Sequence, residues 1–176
     1  MPMRTLLVPA LLLVTGCASG GHHSLALASS ATAAERAALI DRIKTLEGTW
    51  ESTGPEGTHV ASVFTVSSAG SAVREVMLPG TPSEMTNMYT MDGSTLLVTH
   101  YCAVGNQPRM RAKADPDKNS IHFAFDGVSN LQKDHEGYMG SMTLTIVDKD
   151  HLKVAWDYYQ GNQEPEETVF EMTRRK

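Results

Sequence analysis

From Gly48 onward the apolar residues of this chain recur at every second position, in short runs rich in Val, Thr, Phe, Tyr and Met. Clusters of turn-forming residues break the runs: GPEG, SAGS, PGTPS, DG, GN, DPDKN, DGVSNLQKDHEG, DKD and GNQ. A period of two puts alternate side chains on opposite faces, so each run has one face to bury. The pattern predicts an all-β fold, an up-and-down antiparallel barrel of about ten strands with hairpin-length connections. No later segment is long enough to be the helix of a parallel crossover.

One short helix is expected ahead of the strands. Thr32 and Glu35 have the spacing of a capping box, in which hydroxyl and carboxylate satisfy reciprocal backbone donors. Leu39, Ile40, Ile43 and Leu46 follow at helical spacing, and Gly48 is placed to stop the helix. The barrel domain is therefore assigned to residues 32–176.

The N-terminus divides into two further segments. Residues 1–16 carry a basic start at Arg4, an apolar run from Thr5 to Val14 and small residues before Cys17, the layout of an export signal. That run is too short to span a bilayer permanently, which takes about 20 apolar residues. Val14-Thr15-Gly16-Cys17 resembles the lipobox of bacterial lipoproteins, which implies acylation of Cys17 and a membrane anchor. Ser19 stands where that family uses aspartate for inner-membrane retention, so in a Gram-negative cell the resemblance implies the periplasmic side of the outer membrane. Residues 17–31 are small and polar and read as a flexible tether.

Without Cys17 the exported chain has Cys102 as its one thiol, so no internal disulfide is available. The full chain has 15 basic and 20 acidic side chains, and removing Arg4 with the signal leaves 14 against 20, a net charge of −6. That balance excludes a basic footprint for nucleic acid.

Gly48-Thr49-Trp50-Glu51-Ser52, directly after the helix, resembles the Gly-x-Trp opening of lipocalin-like (calycin) barrels. The resemblance implies that Trp50 plugs one end of the barrel and that Arg174 or Arg175 lies across it. The Thr-Asp-Tyr type of lipocalin signature is missing, so the likeness is to fatty-acid-binding-like or divergent bacterial members. The stretch THYC…GNQPRM also resembles uncharacterised bacterial proteins, and brings no activity with it.

The facing of residues 85–112 follows from the turns. With Asp92-Gly93 as a two-residue turn, Tyr89 pairs with Leu96 and Met85 with His100; with Gly105-Asn106 as another, Cys102 pairs with Arg109 and His100 with Arg111. One face then carries Met85, Asn87, Tyr89, Met91, Leu96, Val98, His100, Cys102, Arg109 and Arg111, and its apolar content turns it inward. An unpaired buried guanidinium is expensive. A bulge in that strand, a wet rim, or an anionic ligand each resolves it. The fatty-acid-binding likeness implies the last: Arg109, Arg111 and Tyr89 on a carboxylate, with Met85, Leu96, Val98 and Phe123 around its tail.

His100 and Cys102 share a face, the arrangement that ligation or catalysis would need, but no metal-binding repeat accompanies them and a core histidine beside a buried thiol explains the pair equally. No metal or other cofactor is assigned. Haem ligation through His100, His122 or His151, and a catalytic assembly of Cys102, His100 and Glu75, are the remaining chemical readings. The expected function is a membrane-tethered barrel that binds a small apolar or amphipathic ligand. The alternatives are an isomerase or hydrolase using the His100/Cys102 pocket and an envelope interaction module. The expected ligand-binding set is Met85, Tyr89, Val98, His100, Cys102, Arg109, Arg111 and Phe123, with residues 126–137 as a candidate lid.

Overall fold

The computed structural model describes residues 27–115, 119–133 and 136–176. The export signal, Cys17 and most of the tether lie outside the described residues. Two short helical segments, α1 (Ala33–Ala38) and α2 (Ile40–Lys44), precede ten strands. The strands are β1 (Gly48–Gly54), β2 (Gly57–Ser67), β3 (Ala72–Met77), β4 (Met85–Asp92), β5 (Thr95–Tyr101), β6 (Gln107–Lys113), β7 (Ser120–Ser129), β8 (Tyr138–Ile146), β9 (His151–Tyr159) and β10 (Glu166–Arg174). Each pairs antiparallel with its sequence neighbour, and β10 returns to β1, so the sheet closes as a ten-stranded barrel. The expected all-β barrel is the fold observed.

The period of two appears directly as burial. In β5 Leu96, Val98 and His100 point inward, in β6 Pro108, Met110 and Ala112, and in β9 Leu152, Val154 and Trp156. The capping box forms as expected, with Glu35 N–H donating to the Thr32 hydroxyl and Thr32 N–H to the Glu35 carboxylate. The single expected helix is interrupted at Leu39, whose backbone leaves the helical region so that Leu39, Ile40, Ile43 and Leu46 can all sink into the barrel's end.

That end is closed by Trp50 and Arg174. The indole is fully buried and donates from Nε1 to Leu46 O at 2.8 Å. Above the ring the Arg174 guanidinium sits 4.3 Å from the centroid, a cation–π contact. Its nitrogens also donate to Lys149 O, Glu47 O and Thr45 O at 2.7–2.9 Å. Gly48 is required beneath it: φ is +126°, and an added Cβ would lie 3.2 Å from Arg174 Nη1. Of the two arginines considered, Arg174 takes the plug, while Arg175 pairs with Glu51 on the rim.

Replacing Arg174 with Ala removes the cation–π contact and three charge-assisted hydrogen bonds, and is expected to lower stability by roughly 2–4 kcal/mol. Arg174→Lys should recover little of it, because an ammonium cannot lie flat on the indole while reaching three carbonyls. Urea unfolding tests this; a loss under about 0.5 kcal/mol for the Ala variant, within the range of ordinary surface substitutions, would remove Arg174 from the closure.

Candidate functional site

The opposite end, where β4 begins and β5 ends, holds the polar part of the interior. Glu75 lies on β3 between Val73 and Met77, on the same inward parity, and is only 3% exposed. Three donors surround its carboxyl group: Ser62 Oγ at 2.6 Å, Asn87 Nδ2 at 2.7 Å and the Tyr89 hydroxyl at 2.7 Å. Burial pushes the Glu75 carboxyl above its usual range, and the three hydrogen bonds oppose that rise. The Tyr89 hydroxyl is driven upward by burial and then by the neighbouring carboxylate. Phe64 and Phe123 flank the Tyr89 ring at 6.4 and 6.0 Å.

The network continues to His100. Glu75 needs a donor from Asn87, so the amide presents its nitrogen to the carboxyl group and its oxygen to His100 Nδ1, 2.7 Å away. An amide oxygen only accepts, so Nδ1 carries the imidazole proton and Nε2 carries a lone pair. Burial lowers the His100 pKa to about 4, so the ring is neutral at pH 7. Trp156 from β9 packs against it with ring centroids 5.0 Å apart. His100 Nε2 and Trp156 Nε1 are both buried without a hydrogen-bond partner among the described residues. Asn106 Oδ1, in the β5–β6 connection, is the third such atom, and His100 and Trp156 are the two whose rings pack against each other.

The expected site residues divide into three groups. Tyr89, Val98, His100 and Phe123 are buried and inward, with Met85 half-buried at the mouth against the core. Cys102 lies half-buried beyond the end of β5, its backbone N–H bonded to Asn106 O; it belongs to the turn.

Arg109 and Arg111 are the correction. They point outward: Arg111 Nε is 2.6 Å from Asp126 Oδ1 and its Nη1 3.2 Å from Asp92, while Arg109 Nε is 4.0 Å from Asp126 Oδ2. The physical reason is register. The connection between β5 and β6 spans residues 102–106, and Asn106 is buried with its amide donating to Gly137 O. Arg111 consequently opposes Leu97 instead of His100, a shift of three that reverses the strand's faces. At the preceding turn the shift is two, with His100 opposite Asn87, and the faces are kept.

Residues 126–129 are also part of β7, so the mouth connection begins at Asn130, shorter than the candidate lid. Of the other histidines weighed, His122 is outward beside Thr143 and His151 outward beside Asp148, leaving His100 as the one in the interior. Glu75 lies two hydrogen bonds from His100, through Asn87, so part of the catalytic grouping is real as a network while Cys102 stands apart from it. Ser62, Asn87 and Trp156 were not anticipated as site residues. The available signal was an acidic residue at the inward parity of an otherwise apolar strand, Val73-Arg74-Glu75-Val76-Met77, which requires buried donors from its neighbours.

No family model matches this chain, and no curated protein does. Among solved structures it is similar to Rv2717c from M. tuberculosis, with a TM-score of 0.56 over 84% of this chain and 100% of that one. The two are 9% identical, so the likeness concerns the fold alone.

The depressed pKa of His100 fixes a pH effect. The unfolded imidazole protonates near 6.5 and the folded one near 4, so the unfolded chain binds more protons between those values. The contribution is complete above about 6.5 and is lost as pH falls through 4, up to roughly 3 kcal/mol. Glu75, shifted upward, acts in the opposite sense, since stability it confers falls as pH rises past the unfolded carboxyl value. The quantity to measure is therefore the difference in unfolding free energy between wild type and His100→Leu at pH 7 and pH 4.5. A difference that does not change with pH would show that His100 titrates normally.

Proposed function

We propose that the protein is an exported, lipid-anchored barrel of the cell envelope that binds a small apolar or amphipathic molecule in the half of its interior opposite the Trp50 plug. One observation supports this above the others: two buried ring nitrogens, on His100 and Trp156, face a barrel interior that offers them no partner. Met77, Tyr89 and Val98 belong to the same buried core, with Met85 packed against it, and methionines adapt to the shape of an occupant. The lipocalin-like assignment draws on the Trp50–Arg174 closure and on the barrel itself. Export and anchoring draw on the N-terminal sequence ending at Cys17, with the outer membrane as the expected destination.

The carboxylate clamp drops out of this reading, because both arginines pair with aspartates outside the barrel. An enzyme is the second reading, favoured by the way Glu75 and Asn87 orient the His100 ring. A base whose conjugate acid has a pKa of about 4 works weakly near neutral pH, which sets this reading behind the binder.

Native mass spectrometry of protein purified without added lipid, followed by organic extraction, tests the binder. The expected result is a bound small molecule that survives Arg109→Ala and Arg111→Ala and is lost in Trp156→Leu. A bare polypeptide mass after incubation with an envelope lipid extract would overturn it. For the anchor, Cys17→Ser is expected to move the protein from the membrane fraction to the soluble exported fraction; an unchanged distribution would exclude acylation there.

A further inference from the structure

The two unpartnered nitrogens are opposite in character, and that constrains the occupant. His100 Nε2 presents a lone pair, because Glu75 fixes the Asn87 amide and the amide oxygen holds the proton on Nδ1. Trp156 Nε1 presents an N–H, since indole nitrogen only donates. Both side chains are 1% exposed, and their ring centroids stand 5.0 Å apart, so the acceptor and the donor are carried on neighbouring rings inside the barrel.

Resting on the reading of the barrel as a small-molecule binder, we propose that its ligand is a neutral alcohol whose hydroxyl bridges His100 and Trp156. The O–H donates to His100 Nε2 and the oxygen accepts from Trp156 Nε1–H, so a single oxygen completes both groups. Pure acceptors and charged groups complete only one. An ether or ester oxygen accepts from Trp156 and leaves the imidazole lone pair unmet. A carboxylate or phosphate does the same while setting negative charge against that lone pair and near the buried Glu75 carboxyl group. An ammonium donates to His100, leaves the indole N–H unmet and brings a charge into an apolar site. Water has the same donor and acceptor capacity as the hydroxyl, so an alcohol that displaces it remakes both hydrogen bonds and adds the burial of its chain.

The chain's acidic balance agrees with a neutral ligand, and the two arginines expected to face the interior, Arg109 and Arg111, are committed to Asp126 and Asp92 on the outer face. Selectivity therefore resides in hydrogen-bond polarity instead of charge. A site built to pair a hydroxyl rejects analogues lacking it, because its own buried groups are then left unpaired.

The test is a set of three probes matched in size: 1-octanol, methyl heptyl ether and octanoate, titrated into the full chain at pH 7.5 and followed by intrinsic tryptophan fluorescence and calorimetry. 1-Octanol is expected to bind at least tenfold more tightly than either of the others. In Trp156→Phe, which keeps an aromatic ring and removes the N–H, the gap between alcohol and ether is expected to narrow severalfold, with the thermal unfolding curve confirming a folded barrel. Equal affinity for alcohol and ether would overturn the hydroxyl assignment while leaving a small-molecule binder in place. Tighter binding of octanoate would overturn it in favour of an anion site. Failure of all three probes to bind wild type would remove the binder reading and this inference together.

Discussion

The barrel depends on a short seam. Its first and last strands are joined in register through two residue pairs, Trp50 with Arg174 and Glu51 with Thr173, whereas the neighbouring hairpins run six to eight pairs along most of the sheet. Two pairs of backbone contacts are little to hold a sheet closed against its own edges. Arg174 supplies what the ladder lacks, tying the end of β10 to the carbonyls of Thr45 and Glu47 before β1 and of Lys149 before β9. Its flat side covers the indole that fills the barrel's end, so one side chain both closes the sheet and caps the core. The helical segments then cover the same end with Leu39, Ile40, Ile43 and Leu46.

With one end filled and sealed, the interior at the other end can hold groups that a packed core would reject. A buried carboxyl group is tolerated because three neighbours donate to it. The consequence passes along the network: the carboxyl group sets the Asn87 amide, the amide sets the His100 tautomer, and the tautomer leaves a lone pair on Nε2. The state of a buried carboxyl group on β3 thus reaches the far ring nitrogen of a histidine on β5 through hydrogen-bond polarity. A buried nitrogen left without a partner costs about 1–3 kcal/mol unless water serves it. Such a cost is sustained when the surrounding structure is independently stable, and the closed end provides that stability.

The architecture was legible because it rests on period and punctuation alone. Strand number, the capping box and the inward facing of Tyr89, Val98, His100 and Phe123 all follow from local patterns that the tertiary structure leaves intact, whereas the Trp50 plug was implied by the Gly-x-Trp resemblance. Register was less legible, and the two turns show why. At Gly93 the pairing differs by two positions, and a period of two hides that error. At Gly105 it differs by three, because Asn106 is drawn into the mouth by the Gly137 carbonyl, a contact between residues 31 positions apart that no local pattern announces. That difference moved Arg109 and Arg111 to the outer face and with them the acidic head group they were to hold.

Partnering was the remaining blind spot, and its physics is specific. Sequence parity places Glu75, His100 and Trp156 inside, but whether a buried polar atom is satisfied depends on which strands lie opposite at that level. Glu75 meets Ser62 across the β2–β3 pair and Asn87 across the β3–β4 pair, while His100 meets Asn87 across the β4–β5 pair. Each link is a cross-strand neighbour fixed by register, so one shift by a single residue anywhere in β2–β5 would turn one member outward and open the chain. A network carried across four adjacent strands therefore selects the native register as strongly as the apolar pattern does. The same residues that keep a buried carboxyl group hydrogen-bonded also disfavour the misaligned barrels in which it would be stranded.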